Sequence, residues 1–287
     1  MTVGLTIREA AEALATVSDT ARLDAELLMA HILGVSRSEM LLNWMKTPVP
    51  EGVARLVVRR MRGEPVAYII GEQEFRGLTL NVTPDVLIPR GDSEVLVDAA
   101  LAARPEARRV LDCGTGSGAL LLAALVELPQ ATGIGIDSSD AALGVARGNA
   151  AALGLDGRAQ MVLADWHQPG WADALGAFDL ILANPPYVED AAELDPSVRD
   201  HEPAGALFSG PEGLDDYRVL VPQLPALLAP GGAAFVEIGH TQADAVTAIA
   251  RGSGLVASLH RDLANRPRVL ELVQSSEIPL GKGQATA

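Results

Sequence analysis

Arg109-Val-Leu-Asp112-Cys-Gly114-Thr-Gly116-Ser-Gly118 runs from an apolar segment into a turn with glycine at every second position, and the apolar stretch Ala119–Val126 follows at once. This order predicts a strand over Arg109–Asp112, a loop that presents bare backbone, and a helix over Ala119–Leu128. The alternation continues downstream. Thr132–Asp137 reads as a second strand followed by a helix to about Leu153, and Ala159–Ala164 and Leu180–Ala183 read as the third and fourth strands. A helix over Leu214–Leu228, ended by Pro230-Gly-Gly232, leads to a fifth strand at Ala233–Ile238. A helix over Thr241–Arg251 and strands at Leu255–His260 and Arg268–Val273 close the pattern. Strands alternating with helices predict an α/β fold, a Rossmann-like, mostly parallel sheet of seven strands with helices on both faces. In such sheets ligands bind outside the carboxyl ends of the strands, where strand order reverses.

Upstream of this region the period changes. Leu23, Leu27, Leu28 and Ile32 recur at helical spacing with Gly34 at the capping position, and Val53, Leu56, Val57 and Met61 form a second stripe. Thr6-Ile-Arg-Glu9 and Ser36-Arg-Ser-Glu39 both have capping-box spacing. Leu78, Leu80 and Val82 then alternate with Thr79 and Asn81, and Arg76-Gly77 makes a plausible hairpin turn. The expected organisation is a helical bundle over 1–71 for recognition of a substrate protein and a β-hairpin and linker over 72–92. A cofactor-binding catalytic domain over 93–274 and a disordered tail over 275–287 complete it.

With 287 residues and 48% hydrophobic content the chain can bury a sizeable core, and about two domains is the expectation. The longest apolar run, Ala119–Val126, falls far short of the ~20 residues of a membrane span, and Met1-Thr-Val-Gly has no export-signal pattern. A single cysteine, Cys113, excludes an internal disulfide and a cysteine zinc cluster, so no metal is expected. A cytoplasmic protein is the economical reading. The formal charge of −15, with only Lys46 and Lys282 as lysines, argues against stable binding of a nucleic-acid backbone.

Two motifs carry the chemistry. Gly-x-Gly-x-Gly preceded by Asp112 differs from the Gly-x-Gly-x-x-Gly of pyrophosphate binders. A carboxylate there repels phosphates and attracts an ammonium group, which suits S-adenosylmethionine and not NAD. Asp137 ends the second strand, where it can accept ribose hydroxyls, while Asp165 and Trp166 follow the third strand, where they can flank an adenine by hydrogen bonding and packing. Asn184-Pro185-Pro186-Tyr187 follows the fourth strand. Asparagine supplies a carbonyl and an amide, the prolines stiffen the backbone without competing donors, and Tyr187 adds a flat face. Such a site fits a planar –NH2 group, an amide or an exocyclic amine. Turn capping for Asp112 and ordinary packing for Trp166 and Tyr187 are the competing readings. Glu237, at the end of the fifth strand, fits either a structural or a functional role.

The chain resembles the class I S-adenosylmethionine-dependent methyltransferases and, more closely, the peptide chain release factor glutamine methyltransferases. The resemblance rests on Leu23-Asp-Ala-Glu-Leu-Leu28, Gly63-Glu-Pro-Val-Ala-Tyr68, Gly71-Glu, Glu74-Phe75, Asp112–Gly118, Asn184–Tyr187 and Arg266-Pro-Arg268. It implies methylation of the glutamine amide in the Gly-Gly-Gln loop of class 1 release factors, with S-adenosylhomocysteine as product. By position, Asp112, Gly114, Thr115, Gly116, Ser117 and Gly118 would line the cofactor, with Asp137 at its ribose and Asp165 and Trp166 at its adenine. Asn184, Pro185, Pro186 and Tyr187 would hold the glutamine, with Phe75 and Arg90 beside it. Asn184, Pro185 and Tyr187 are the expected catalytic residues, and Asn184 would also touch the cofactor. One stretch departs from the family pattern: Pro89-Arg90-Gly91-Asp92-Ser93-Glu94 stands where Pro-Arg-Pro-Glu-Thr-Glu is usual, and Gly91 is expected to loosen that loop. The rival readings are an adenine-N6 methyltransferase of DNA or RNA, a ribosomal-protein glutamine methyltransferase, and a non-catalytic adaptor.

Overall fold

Three stretches of chain build the first of two units in the computed structural model, which describes residues 1–275. This unit comprises Met1–Gln73, Val82–Pro84 and Glu193–Glu202. Its helices are α1 (Val3–Leu14), α2 (Ala21–Leu33), α3 (Arg37–Asn43), α4 (Val53–Met61) and α5 (Val66–Ile70). Val3, Ile7 and Leu14 from α1 meet Met29, Met40 and Val53 in one apolar cluster. Gly34 ends α2 in the left-handed region at φ 65°, and Ser36 caps α3 by accepting the Glu39 N–H at 3.1 Å. The capping box expected at Thr6 does not form. The Val3 and Gly4 N–H groups bond to Thr47 and Met45 carbonyls, so the helix starts earlier and the Thr6 hydroxyl is buried without a partner. Leu23 and Met61, expected in apolar stripes, are exposed.

Charge takes interior places that the apolar pattern did not reveal. Asp24 on α2 accepts from Arg60 Nε at 2.7 Å, from the Ser18 hydroxyl at 2.8 Å and from the Thr20 hydroxyl at 2.9 Å. Both Asp24 and Arg60 are buried, and Arg60 also donates to the Gly63 and Glu64 carbonyls. The resulting network ties α2 to the end of α4. A buried pair of this kind is favourable only while every member keeps its partners.

The second unit comprises Glu74–Asn81, Asp85–Ala192 and the chain from Pro203 onward. The hairpin strands are β1 (Glu72–Phe75) and β2 (Leu78–Asn81). Arg76 and Gly77, at φ 48° and 75°, make the expected turn. Arg76 is held in that unfavourable region by its N–H to Glu94 and its guanidinium to Asp98. After α6 (Glu94–Ala103) come β3 (Arg109–Cys113), α7 (Ala119–Glu127), β4 (Thr132–Asp137), α8 (Asp140–Ala152), β5 (Ala159–Leu163) and β6 (Phe178–Ala183). The short α9 (Pro196–Arg199) belongs to the first unit. Then follow α10 (Asp215–Leu220), α11 (Leu224–Leu227), β7 (Leu228–Glu237), α12 (Ala243–Gly252), β8 (Leu255–Arg261) and β9 (Pro267–Gln274).

The seven strands lie in the order β5-β4-β3-β6-β7-β9-β8, with β9 antiparallel to both of its neighbours and every other pairing parallel. The expected α/β sheet is therefore present. Apolar side chains alternate between its faces: Val110, Leu180 and Leu182 enter one core, while Leu111, Ile181 and Ala183 enter the other. Helix α7 is buried from Ala119 through Leu125. Gly133 lets it pack so closely, since a Cβ there would sit 2.5 Å from the Leu121 side chain.

The single helix expected over Leu214–Leu228 is instead α10, a 3-10 turn at Val221–Gln223 and α11. Pro222 and Pro225 each lack an N–H and each opens a new short turn, which breaks the helix. Pro230-Gly-Gly232, expected as a stop, lies inside β7 at a register shift between Phe178 and Leu180. Among the described residues no helix is long and apolar enough to cross a membrane. Apart from Ser275, the tail expected over 275–287 lies outside the described residues.

Arg60→Ala is expected to destabilise the full chain in urea titration by about 3 kcal/mol, because it leaves the Asp24 carboxylate buried and under-paired. Arg22→Ala, which removes a half-exposed partner of Glu26, should cost under ~1 kcal/mol. Equal losses would contradict this account of the helical unit.

Candidate active site

Parallel register brings the chemistry together. Cys113 pairs with Ile136 on one side and Ala183 on the other, and Ala183 pairs with Val236. The next residues along those strands are Gly114, Asp137, Asn184 and Glu237, so four distant pieces of chain meet at one sheet edge. Strand order reverses at β3, between β4 and β6, the place where open α/β sheets bind ligands.

Gly114, Gly116 and Gly118 have φ of 74°, 53° and 86°, a conformation that side chains resist. A Cβ on Gly114 would also lie 3.1 Å from the Trp166 ring. The Gly114 and Thr115 N–H groups bond to the Ile136 carbonyl, and the Gly116 N–H donates to Asp137 Oδ2 at 2.9 Å. Asp137 Oδ1 accepts the Ser139 N–H at 2.9 Å. Buried Asn149 donates to the Ser117 carbonyl at 2.9 Å and so anchors the turn from α8.

A cavity of about 340 Å³ opens against this turn. That is within the range of cofactor clefts, ~300–1,000 Å³. Its lining includes Gly114, Gly116, Asp137, Asp165, Trp166 and Asn184. A smaller cavity of about 60 Å³ shares Gly114, Gly116 and Asn184 with it and adds Phe75, Arg90, Ser93, Thr115 and Ser117. A larger depression, about 560 Å³, lies at the amino ends of β3, β4 and β5. It contains none of these motifs, and its Arg158 is spent on the Leu125, Leu128 and Ala131 carbonyls.

Asp112 lies beneath the turn rather than in either cavity wall. It is fully buried, and its Oδ2 accepts the Thr115 hydroxyl at 2.6 Å. Oδ1 has no hydrogen-bond partner. Burial pushes its carboxyl up to about 7, with the Thr115 hydrogen bond opposing and the nearby Asp137 charge adding. A buried, half-satisfied carboxyl of this kind fits a cationic group placed above the turn.

Trp166 is fixed by residues the motif search passed over. Its Nε1 donates to Asp216 Oδ1 at 3.1 Å, and its carbonyl accepts from Gln223 at 3.0 Å. Asp216 is itself held by the Ser209 hydroxyl at 2.7 Å and neighbours His167 Nε2 at 3.0 Å. These partners come from the stretch after β6, with no sequence signal that ties them to position 166. Asp165 accepts the His167 N–H at 2.9 Å and keeps its place in the cavity wall.

Asn184 Nδ2 donates to the Ser93 hydroxyl at 3.3 Å. With its nitrogen so committed, Oδ1 is the atom left to accept from a ligand. Pro186 lines the larger cavity; Pro185 is buried and lines neither. Tyr187 also stands outside both walls, with its hydroxyl donating to Glu237 Oε1 at 3.3 Å and its carbonyl accepting from Gln242 at 3.0 Å. Burial raises its phenol to about 12, so it remains a donor. Phe75 is buried in the core yet borders the smaller cavity together with Arg90. Gly91 opens a 3-10 turn whose next two residues are anchored, Asp92 by Arg268 at 2.9 Å and Ser93 by Asn184. The Arg266-Pro-Arg268 motif thus contributes a buried cation behind the site.

Residues 6–71 match the family described as PrmC N-terminal domain, and residues 105–240 match the family described as methyltransferase domain. The release factor glutamine methyltransferase of Caulobacter vibrioides is 43% identical over 88% of this chain and 89% of its own length. That of Rhodospirillum rubrum is 43% identical over 87% and 78%. Among solved structures, a methyltransferase from Pyrococcus furiosus has a TM-score of 0.52 at 14% identity, covering 76% of this chain and 98% of its own, which supports the fold alone. On identity that high over nearly the whole length, this chain belongs to the release factor glutamine methyltransferase family.

Proposed function

We propose that this protein transfers a methyl group from S-adenosylmethionine to the side-chain amide nitrogen of the glutamine in the Gly-Gly-Gln motif of class 1 peptide chain release factors, and that it acts in the cytoplasm. The observation that carries the reading is Asn184, which lines the cleft next to the glycine turn and whose Nδ2 is tied to Ser93, so that its carbonyl is the group offered to a ligand. When bound, the cofactor supplies an electrophilic methyl on a positively charged sulfur. Asp112 beneath the turn would favour its ammonium group, Asp137 would accept from its ribose, and Trp166 with Asp165 would hold its adenine. The backbone of Gly114–Gly118 allows the close approach that side chains would block.

An amide nitrogen is a weak nucleophile because its lone pair is delocalised into the carbonyl. Asn184 Oδ1 accepts one N–H of the substrate amide and the Pro185 carbonyl accepts the other. Together they hold the nitrogen in one orientation, and orientation alone can supply ~7–11 kcal/mol. Pro185 and Pro186 keep this pair of acceptors rigid, Tyr187 braces the segment from behind through Glu237, and Phe75 and Arg90 shape the approach of the glutamine. Burial of the surrounding apolar side chains keeps water from competing for the acceptors. An adenine amine would satisfy the same two acceptors, but a protein of net charge −15 is poorly suited to holding phosphates.

Incubation with labelled cofactor and a release factor, followed by fragment mass spectrometry, should place one methyl on the motif glutamine; a methyl found only on nucleic acid would overturn the proposal. Asn184→Ala should lower kcat more than about 100-fold while calorimetry finds cofactor affinity within a few-fold of wild type. Asp137→Ala should weaken cofactor binding about 10- to 100-fold, the value of hydrogen bonds to a charged acceptor. Unchanged affinity would remove Asp137 from the cofactor site.

A further inference from the structure

Part of the wall of the larger cavity is a single indole, and its orientation is set from outside the motifs that build the site. Trp166 Nε1 donates to Asp216 Oδ1 at 3.1 Å. At the opposite edge the six-membered ring reaches the glycine turn, where a Cβ on Gly114 would lie 3.1 Å from Cη2 and 3.3 Å from Cζ3. The ring is thus gripped at both ends, by a hydrogen bond on one side and by van der Waals contact on the other. We propose that Asp216 is a positioning residue for the cofactor: it locks the Trp166 indole as the surface against which the adenine packs, and so sets cofactor affinity without taking part in methyl transfer.

The polarity of this clamp follows from donor counting. An indole N–H only donates and a carboxylate only accepts, so the pair has one arrangement. An indole flipped about its Cβ–Cγ bond would carry Nε1 away from Asp216 and leave the N–H without this acceptor. Asp216 is itself held. Its Oδ2 accepts the Ser209 hydroxyl at 2.7 Å, and its backbone N–H donates to the same Ser209 oxygen at 2.8 Å. Asp216 and Ser209 are both buried. The Ser209 N–H donates to the Val188 carbonyl at 2.9 Å, which pins Ser209 to the segment that continues from Tyr187.

Oδ1 is therefore the oxygen left for Trp166, shared with His167 Nε2 at 3.0 Å. His167 is 46% exposed, so its contact contributes little. Gln223 fixes the backbone as Asp216 fixes the ring, donating to the Trp166 carbonyl at 3.0 Å and to the Val219 carbonyl at 2.8 Å. A ring held this way is ordered before the ligand arrives, and the entropy of ordering it is not subtracted from binding. Asp216 also borders the cavity, so the test must separate action through Trp166 from direct contact with the ligand.

This inference rests on the proposed use of S-adenosylmethionine at this site, and wild type is the control for that reading. Absence of S-adenosylhomocysteine binding to wild type by calorimetry would overturn the site and the clamp together. With binding established, the dissociation constant is measured for Asp216→Ala, Trp166→Phe and the double variant. Asp216→Ala should weaken binding about 10-fold, the effect of one hydrogen bond to a charged group. Trp166→Phe keeps a flat ring but has no N–H for Asp216 to hold, so adding Asp216→Ala to it should change the constant by less than about two-fold. Losses that multiply would mean that Asp216 touches the ligand itself and would overturn the positioning role. So would an Asp216→Ala affinity equal to wild type in the folded protein. Asp216→Asn keeps an acceptor for the indole and should recover most of the loss. In turnover, Asp216→Ala should raise the cofactor KM and leave kcat at saturating cofactor unchanged, the pattern of lost uniform binding. Where Asp216→Ala does not fold, Ser209→Ala supplies the same comparison: it should weaken binding beside Trp166 and not in Trp166→Phe, and an equal effect in both would overturn the clamp.

Discussion

Everything at this site depends on the register of four parallel strands. Because Ile136, Cys113, Ala183 and Val236 lie in one row, the residues that follow them emerge side by side. A slip of one residue in β6 would send Asn184 to the opposite face of the sheet and separate it from Ser93. Register is held by the two apolar cores, which take alternate side chains along Leu180–Ala183 and at Val110 and Leu111, and by glycines where helix α7 and Thr115 press on β4. Packing energy is thus what fixes the geometry of the polar groups, and the polar groups are few.

Those few are arranged in two tiers. Facing the cavities are backbone at the glycine turn, Asp137, Trp166 and Asn184. Ser93 and Asp216, though buried, border the cavities, and behind these residues stand buried Asp112, Glu237 and Arg268. Each buried group touches a cavity residue or the turn that carries one, and each would cost stability if it lost its partners. Their presence in a core otherwise made of Ala, Leu and Val is the expense of holding a weakly nucleophilic amide in one orientation.

The sheet was legible in the sequence because its strands are nearly continuous apolar runs with glycine or proline at their ends. The glycine turn and Asn-Pro-Pro-Tyr were legible for the same reason: the backbone conformation they need restricts residue type. Other features left no such mark. Asp24 and Arg60 stand on helices with no pattern that marks them for burial, and only their mutual proximity reveals a buried pair. Asp216 and Ser209 have no spacing rule that links them to Trp166. The proline-broken segment from Asp215 to Leu227 carries apolar residues at helical spacing, so periodicity alone suggested one helix where Pro222 and Pro225 impose three short turns. Asp112, expected at the cofactor, lies one layer deeper, since alternation along β3 gives no information about the depth of a strand's last residues.

The central claim is that a carbonyl pair, Asn184 Oδ1 and the Pro185 backbone oxygen, grips a primary amide. The most direct measurement is a high-resolution structure of the complex with product cofactor and a glutamine peptide carrying the Gly-Gly-Gln sequence. The account predicts the glutamine nitrogen within hydrogen-bonding distance of both oxygens, with Asn184 Nδ2 still on Ser93. An Asn184 whose nitrogen faces the peptide, or a glutamine bound out of reach of residue 184, would contradict it.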